Sequence, residues 1–137
     1  MKIFVVGAGT MGSGIAQAFL QSADVDVWLC DQTDEFVNNG VKKVKGGFAY
    51  LLKKEKITQE EHDERLAHLH PTTSYEDAAD ADLIVEAIFE DMSAKRDIYT
   101  KLDAICKDET IFASNTSSLS ITEMAAGLNH AGNFCGM

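Results

Sequence analysis

The amino-acid sequence predicts an α/β fold with a doubly wound, mainly parallel β-sheet. Short apolar segments typical of buried strands alternate along the chain with longer segments of helical periodicity. Glycines follow the first apolar segment, residues 1–6, directly, where a strand would turn into a helix. In such a sheet the crossovers are right-handed, and a ligand binds at the carboxyl ends of the strands.

The N-terminal part of the chain predicts a β-α-β unit. Residues 1–6 have strand character, residues 11–22 have helical character, and residues 25–30 form a second strand that leads to Asp31. One face of the helix is expected to comprise Ile15, Ala18, Phe19 and Ser22.

A helical arm is predicted between the second and third strands. Residues 34–55 are longer than a simple crossover helix, and apolar residues recur there at steps of four and three: Val37, Val41, Val44, Phe48 and Leu51. Thr58 and Glu61 match a capping box, which predicts a second helix over residues 59–69. The pair Gly46-Gly47 weakens the first helix and indicates a kink or close packing.

The rest of the chain continues the alternation of strands and helices. Pro71 is expected to close the arm. The elements predicted after it are a strand at 72–74, a helical turn at 76–80, a strand at 82–88, a helix at 90–105, a strand at 110–114, a helix at 121–127 and a sixth strand at 133–137.

Composition and charge limit the classes of function. The 137 residues suffice for one domain with its own core. No apolar run approaches the roughly 18 residues of a membrane span, and no secretory signal opens the chain, so we expect a cytoplasmic protein without a membrane partner. The formal net charge of −10 argues against nucleic acid as a general partner, because phosphate binding needs a cationic surface.

The cysteines and histidines predict neither a metal site nor a catalytic base. Cys30, Cys106 and Cys135 form no Cys-x-x-Cys pair, and no histidine stands at metal-ligand spacing from them, so we expect free thiols. The four histidines are expected on the arm or in a loop, away from the crevice: His62, His68, His70 and His130.

The glycines and a downstream acid predict a dinucleotide site of the Rossmann type. Gly7, Gly9 and Gly12 let the backbone approach a pyrophosphate at a helix N-terminus, while Gly12 and Gly14 bring that helix close to the sheet. The loop assigned to the cofactor also contains Thr10 and Met11. Asp31 follows Gly12 by 19 residues, near the roughly 20 expected of the acid that binds the adenosine ribose and selects NAD over NADP. An ordinary aspartate in a turn is the alternative.

Six lysines form a basic cluster in this acidic chain: Lys42, Lys43, Lys45, Lys53, Lys54 and Lys56. At about 100° per residue they divide into two stripes that flank the apolar stripe of the arm. A solvated helix face would explain them. A site for a polyanionic ligand, with ammonium groups on phosphates, would explain them equally well.

Polar residues are expected where the fourth and fifth strands end. Glu86 and Glu90 flank the end of the fourth strand, and Lys95 lies about one helical turn further on, unless it simply pairs with Asp91 on a helix surface. Residues 115–119 follow the fifth strand. They either place an amide and hydroxyls at the crevice, where these would orient a substrate oxygen, or form a plain turn.

Four segments of the chain together resemble one enzyme family. They are Gly7-Ala-Gly-Thr-Met-Gly-Ser-Gly-Ile-Ala16, Asp31-Gln-Thr33, Val85-Glu-Ala-Ile-Phe-Glu-Asp91 and Ser114-Asn-Thr-Ser-Ser-Leu119. With the lysine-bearing arm, they resemble the (S)-3-hydroxyacyl-CoA dehydrogenases, including the bacterial 3-hydroxybutyryl-CoA dehydrogenases. The likeness covers the whole chain, whereas the glycine motif alone is shared with many dehydrogenases.

The resemblance implies NAD as the cofactor and an acyl-CoA as the substrate. It implies that Glu90, Lys95 and Asn115 contact the nicotinamide half of NAD. It further implies that Ser117 contacts the substrate's 3-oxygen and that Lys54 contacts the CoA moiety. In that family hydride passes between substrate C3 and the nicotinamide ring, while a histidine moves the hydroxyl proton and a glutamate orients the histidine.

The resemblance also creates an expectation about the end of the chain. The family's histidine belongs to a His-Phe-Phe-Asn-Pro motif that follows a strand like residues 133–137. We expect an NAD-binding domain that ends in its sixth strand, without this histidine, its glutamate partner or the helical domain that makes the homodimer. Such a chain would bind NAD and hardly turn over, because losing acid-base help costs about 10² to 10⁴ in rate.

Two other functions remain open at this point. The chain could be a self-contained NAD-sensing or interaction module. It could also belong to an NAD-dependent dehydrogenase of a hydroxy acid or sugar acid without CoA. In that last case, replacing Lys53, Lys54 and Lys56 together would leave substrate binding untouched, whereas it would weaken the binding of a CoA ester.

Overall fold

The computed structural model describes residues 1–22, 25–88, 92–114 and 134–136. Its strands are β1 (Lys2–Val6), β2 (Asp26–Cys30), β3 (Leu69–Thr72), β4 (Leu83–Glu86), β5 (Ile111–Ser114) and β6 (Phe134–Gly136). Its helices are α1 (Thr10–Leu20), α2 (Asp34–Lys53), α3 (Gln59–Ala67) and α4 (Met92–Ile105), with a 3₁₀ turn at Tyr75–Ala78. The predicted α/β class with a helical arm, α2 and α3, between the second and third strands is confirmed.

The described strands form one parallel sheet in the order β3-β2-β1-β4-β5-β6. β1 is paired with both β2 and β4, and Val6 at its end is in register with Cys30 on one side and Glu86 on the other. Glu86 is in turn in register with Ser114. Four neighbouring strands therefore end at the same edge of the sheet, and the strand order reverses between β1 and β4, where ligands bind in such folds.

Each face of the sheet has its own apolar core. Along β1, Ile3 and Val5 point to one face, and Phe4 and Val6 point to the other, as the two-residue period of a strand requires. The first face is covered by α1 and the helical arm, whose buried members include Leu20, Val44 and Phe48. The second is covered by α4 and the 3₁₀ turn through Ala78, Tyr99 and Leu102. Helices on both faces make the sheet doubly wound.

The face predicted for α1 is confirmed in part. Ile15 and Phe19 are partly buried and pack against the core, whereas Ala18 and Ser22 are exposed. The residues that α1 buries are Gly12, Ser13, Ala16 and Leu20. Gly12 approaches the preceding loop closely, and the small residues Gly12, Ser13 and Ala16 are buried in this part of the helix, together with Leu20 at its end. Gly14 faces open space, so only Gly12 has the predicted packing role.

The predicted apolar stripe of α2 is confirmed. Val37, Val44 and Phe48 are buried, while Val41 and Leu51 are partly buried and pack against the same core. The capping box of α3 is also present, since Thr58 Oγ1 accepts from the Glu61 amide and the Glu61 side chain accepts from the Thr58 amide. α3 ends at Ala67, two residues earlier than predicted.

Close packing, one of the two alternatives for Gly46-Gly47, occurs at Gly47. A Cβ atom added there would lie 2.1 Å from Gln17 Oε1, so α2 and α1 approach each other at this glycine. Gly46 faces open space. α2 is assigned as one continuous helix through both residues.

The third strand was predicted at 72–74 and lies instead at Leu69–Thr72, so Pro71 is inside a strand. The reason lies in the strand's position at the edge of the described sheet. The His68 carbonyl accepts a hydrogen bond from the Val27 amide and so faces β2. Because backbone groups alternate in direction along a strand, the Pro71 nitrogen faces away from β2, where no ladder donor is needed.

The remaining elements lie close to their predicted positions. β4, β5 and β6 fall within the predicted strands, and α4 falls within the predicted helix. The helix predicted at 121–127 lies outside the described residues. Among the described residues, no helix is long and apolar enough to cross a membrane. The same residues include no group of three or more His, Cys, Asp or Glu side chains arranged to hold a metal ion.

Candidate functional site

The glycine loop between β1 and α1 requires its first glycine. Gly7 has φ +109°, a conformation that residues with a Cβ rarely adopt, and a Cβ there would lie 2.6 Å from the Ala87 carbonyl oxygen. The Gly7 amide donates to the Cys30 carbonyl at 2.8 Å, and the Ala87 amide donates to the Val6 carbonyl at 2.8 Å. The loop is therefore held between the segments that follow β2 and β4.

The start of α1 lies directly against this loop. A Cβ at Gly12 would lie only 1.7 Å from the Gly7 carbonyl oxygen, so no other residue fits without moving the loop. Gly9 is the N-cap of α1, and no side chain caps the first turn there. A Cβ at Gly9 would meet nothing within 4 Å. The N-terminus of α1 thus lies at the glycine loop, which is where a pyrophosphate binds in dinucleotide folds.

Asp31 lies at the end of β2 and is hydrogen-bonded to the glycine loop. Its Oδ2 atom accepts from the Ala8 amide at 2.8 Å, and its Oδ1 atom accepts from the Gln32 amide at 2.7 Å. A carboxylate oxygen can accept more than one hydrogen bond, so both oxygens can also accept from ribose hydroxyls. The glycine loop and Asp31 are therefore brought together as the sequence predicted.

The other loop residues are exposed toward the helical arm. Thr10 begins α1, and its Oγ1 atom accepts a hydrogen bond of 3.2 Å from Lys43 Nζ on α2. Met11 follows and is 53% exposed. One of the arm's lysines is thus at the glycine loop, a contact that the stripe pattern alone did not predict.

The ends of β4 and β5 meet in a buried polar network around Glu86. Glu86 Oε1 accepts from Ser114 Oγ at 2.6 Å and from Tyr99 Oη at 3.2 Å, and it lies 3.4 Å from Lys95 Nζ. Glu86 Oε2 accepts from the Ile88 amide at 2.8 Å. The side chains of Glu86 and Lys95 are 0% and 1% exposed. An ionised pair this deeply buried needs such additional donors to offset the loss of hydration.

This network was missed by sequence reasoning, although one signal was present. Glu86 was noted at the end of an otherwise apolar strand, where an ionisable side chain must find partners. Lys95 was expected to contact nicotinamide, and the structure gives its ammonium group a buried carboxylate partner. Ser114, which joins the same network, immediately precedes Asn115. The predicted site residues Glu90, Asn115 and Ser117 themselves lie outside the described residues.

Lys54 is far from the glycine loop. Gly40 of α2 packs on the loop, since a Cβ there would lie 2.7 Å from the Ala8 carbonyl oxygen. Lys54 is the C-cap of the same helix, fourteen residues later, which corresponds to about 20 Å at roughly 1.5 Å per residue. Its ammonium group is exposed and lies 5.7 Å from the centre of the Tyr50 ring. A single ligand that contacted both Lys54 and the glycine loop would have to be extended.

Burial of the two described thiols near the sheet argues against a nucleophilic role for them. Burial raises the pKa of Cys30, at the end of β2, to about 12, and it raises the pKa of Cys106 to about 11. A thiol with so high a pKa carries almost no thiolate at neutral pH. Both are free cysteines, as the sequence predicted.

A glycine loop at a helix N-terminus, an acid at the end of the next strand and a strand order that reverses beside them define a dinucleotide-binding domain. Residues 2–137 match the family defined as 3-hydroxyacyl-CoA dehydrogenase, NAD binding domain. The chain belongs to this family, and its cofactor is NAD.

The relatives include 3-hydroxybutyryl-CoA dehydrogenases and a subunit of a fatty acid oxidation complex. The chain is 43% identical over 137 residues to a 3-hydroxybutyryl-CoA dehydrogenase of Clostridioides difficile, covering 100% of this chain and 48% of that protein. It is 38% identical to the fatty acid oxidation complex subunit alpha of Shewanella amazonensis, covering 99% of this chain and 19% of the relative. It also aligns with the crystal structure of the (S)-3-hydroxybutyryl-CoA dehydrogenase of Ralstonia eutropha with a TM-score of 0.92 and 40% identity, over 99% of this chain and 48% of that one. The chain therefore spans about half the length, or less, of these relatives.

Proposed function

We propose that the chain serves as the NAD-binding half of an oxidoreductase that interconverts (S)-3-hydroxyacyl-CoA and 3-oxoacyl-CoA. The observation that carries this proposal is the family match over residues 2–137 together with the glycine loop and Asp31 in one crevice. The preferred pair is 3-hydroxybutyryl-CoA and acetoacetyl-CoA, because a relative with that printed activity is 43% identical over the whole chain. Bound NAD supplies the hydride acceptor for this chemistry.

The adenosine half of the cofactor is assigned to the β1–β2 side of the crevice. The loop residues Gly7, Gly9, Thr10, Met11 and Gly12 would hold the pyrophosphate, supported by the position of this loop at the N-terminus of α1. Asp31 would accept hydrogen bonds from the ribose hydroxyls and repel a 2′-phosphate, which favours NAD over NADP. Its anchoring by the Ala8 amide supports this role, because the carboxylate is already oriented before the cofactor binds.

The nicotinamide half is assigned to the β4–β5 side. There Glu90, Lys95 and Asn115 would contact nicotinamide and its ribose, and Ser117 would orient the substrate's 3-oxygen, with Asn115 beside it. The ion pair of Lys95 with Glu86, and the bond from Ser114 to the same carboxylate, support this assignment because they join the end of β4, the start of α4 and the end of β5, next to which Glu90, Asn115 and Ser117 lie in the sequence.

The CoA moiety is assigned to Lys54. Lys54 lies roughly 20 Å along α2 from the glycine loop, so a phosphate of CoA at Lys54 would not compete with the pyrophosphate of NAD. Its exposed ammonium group can meet a phosphate without first breaking a buried ion pair.

Cofactor binding tests the first part of the proposal. Titration of the chain with NADH and NADPH, followed by nicotinamide fluorescence, is expected to show tighter binding of NADH. Equal binding of the two would contradict the role of Asp31, and no binding of either would contradict the proposal.

Substrate binding tests the second part. Lys54→Met is expected to weaken binding of acetoacetyl-CoA several-fold, by the roughly 1 kcal/mol of an exposed charge pair. Lys42→Met, which removes an exposed charge from the same helix, is the matched control and should leave this binding unchanged. Equal effects of the two would indicate only a solvated lysine face.

A substrate without CoA is the second candidate. It is favoured by the structural match, at 26% identity and a TM-score of 0.85, to a diketoreductase described as acting on dicarbonyl compounds. In that case acetoacetate and acetoacetyl-CoA would bind equally well, and Lys54→Met would change neither. A protein that binds NADH and none of these compounds would be an NAD-sensing module.

A further inference from the structure

Lys43 lies on the side of α2 that is turned toward the glycine loop and α1. Gly40 packs on the Ala8 carbonyl oxygen of the loop, and Gly47 packs on the Gln17 side chain of α1. Lys43 comes three residues after the first glycine and four before the second, so all three share one side of the helix. The two close contacts therefore hold α2 at a distance from which Lys43 reaches the start of α1.

The ammonium group of Lys43 lies at the first residue of α1. Its Nζ atom donates a hydrogen bond of 3.2 Å to Thr10 Oγ1, and both residues are exposed. The hydroxyl oxygen and the amide nitrogen of one threonine are less than about 4 Å apart, so Nζ lies within about 7 Å of the Thr10 amide. A phosphate oxygen bound by that amide at about 3 Å would be within reach of the lysine after rotation about its own side-chain bonds.

This position is unfavourable for a cation unless an anion binds there. The N-terminus of a helix carries a partial positive charge, which attracts acidic groups and repels lysine. The first turn of α1 contains no acidic residue, and Gly9 provides no side-chain cap. Among the described residues, the bond to the neutral Thr10 hydroxyl is the one hydrogen bond or ion pair of the Lys43 ammonium group. An anion at this helix N-terminus would therefore be attracted by the helix and by the lysine together.

The pyrophosphate of the dinucleotide is the anion that binds at this place in the fold. Residues 2–137 match an NAD-binding domain, and in such domains the pyrophosphate lies where the glycine loop meets its helix. We propose that Lys43 turns from Thr10 Oγ1 to this pyrophosphate, which makes it a cofactor-binding residue outside the glycine motif. The inference rests on the proposed function, because it uses the same assignment of the loop to the pyrophosphate.

Titrations of two lysine variants with NADH and ADP test the inference. Lys43→Met keeps a long side chain that suits a helix and removes its charge. It should weaken both ligands by roughly threefold to fivefold, the effect of one exposed charge pair. ADP contains the pyrophosphate without the nicotinamide half, so it reports on this side of the crevice alone. Lys42→Met, which removes an exposed charge from a different side of the same helix, is the matched control and should change neither affinity.

Three further measurements distinguish a phosphate contact from a structural one. Lys43→Arg keeps the charge and should retain most of the affinity for both ligands. Added salt should weaken NADH binding more in the wild type than in Lys43→Met, because salt screens the attraction that the variant lacks. Ligand-free Lys43→Met should unfold at the same urea concentration as the wild type or at a higher one, because it loses a cation at a helix N-terminus. A lower urea midpoint would indicate that Lys43 only ties α2 to α1, and it would overturn the inference.

The ligands also separate the inference from the function on which it rests. Equal affinities of Lys43→Met and Lys42→Met for NADH and for ADP would overturn the inference. A loss confined to NADPH would also overturn it, because Lys43 would then contact the 2′-phosphate. The same holds for a loss confined to acetoacetyl-CoA, which would assign Lys43 to the CoA moiety. Wild-type protein that binds neither NADH nor ADP would overturn the proposed function instead.

Discussion

The Asp31 carboxylate accepts a 2.8 Å hydrogen bond from the Ala8 backbone amide, so the acid at the end of β2 also orients the glycine loop. The same oxygen atoms are those assigned to the adenosine ribose. A side chain at position 31 that still accepts the hydrogen bond from the Ala8 amide is therefore expected to preserve the loop geometry. A side chain that lacks the negative charge is expected to change the choice of cofactor.

Asp31→Asn is expected to weaken NADH binding and to reduce the preference for NADH over NADPH. Asparagine can still accept from the Ala8 amide, but it lacks the charge that strengthens bonds from ribose hydroxyls and repels a 2′-phosphate. Hydrogen bonds to a charged group contribute roughly 1.5–3 kcal/mol, which corresponds to about tenfold or more in affinity. Fluorescence titration measures both dissociation constants. Glu35→Gln, an exposed change in the first turn of α2, is the control, and an equal effect there would contradict the prediction.

Gly12→Ala is expected to abolish tight NADH binding and to destabilise the fold. The new methyl group would lie 1.7 Å from the Gly7 carbonyl oxygen, so the loop or the helix must move, at about 1–3 kcal/mol. Gly14→Ala places the same group in open space within the same helix and should instead stabilise the fold by up to about 1 kcal/mol. Urea unfolding and NADH titration of both variants check this. A tolerated alanine at position 12 would refute the packing described here.

Gly40→Ala is expected to displace α2 from the glycine loop. Its Cβ would lie 2.7 Å from both the Cβ and the carbonyl oxygen of Ala8, and backbone atoms cannot move aside as a flexible side chain can. We expect a loss of about 1–3 kcal/mol of stability together with weaker NADH binding. Gly46→Ala on the same helix faces open space and should be neutral or stabilising. If both variants unfold at the same urea concentration, the contact between α2 and the loop is not tight.

The cluster of Asp26, His68 and His70 predicts an acid-sensitive contribution to stability. Hydrogen bonds from His68 and then His70 hold the pKa of Asp26 below its ordinary value of 3.8. A carboxyl with a lowered pKa in the folded state stabilises the fold above its unfolded pKa and loses that contribution as pH falls through the folded pKa. The contribution of Asp26 to stability is therefore lost as pH falls to about 3.8 and below.

Asp26→Asn tests this contribution. The difference in unfolding free energy between wild type and variant should be constant near about pH 6 and vanish toward about pH 2. It should stay below about 1 kcal/mol, because Asp26 is 44% exposed and solvent screens the pair. Urea unfolding across this pH range measures it, with the exposed Glu64→Gln as control. A difference that grows as pH falls would contradict the assigned sign.

The sequence predicted the elements whose packing repeats regularly. The stripe from Val37 to Leu51 identified α2 because four of its five members pack against the same core, and the continuous apolar run of β1 identified a strand, which is buried on both faces. The predicted face of α1 was wrong at Ala18 and Ser22, because the close contact between Gly12 and Gly7 puts the small residues Gly12, Ser13 and Ala16 in the interior, which a hydrophobic pattern does not show. β3 was misplaced because a strand can contain proline where the proline nitrogen faces away from the neighbouring strand. The local sequence does not show which side of a strand is paired.

The candidate site was predictable where backbone geometry restricts residue type. Gly7 and Gly12 are required by a positive φ and by a close contact, and such requirements are visible as glycines in the sequence. The network around Glu86 was not predictable in the same way. Its partner Ser114 is 28 residues away in the sequence and reaches Glu86 only because β4 and β5 are adjacent in register.

Pro71 also affects whether copies of the molecule can associate through the β3 edge of the sheet. An edge strand offers unpaired amides to which a strand of another chain can add, and this is a common start of aggregation. At the β3 edge of the described sheet, residues 69 and 71 face outward, and the second of these positions is occupied by an exposed proline. A second strand would therefore lack one hydrogen bond at this edge, so the covalent structure of one residue disfavours self-association there.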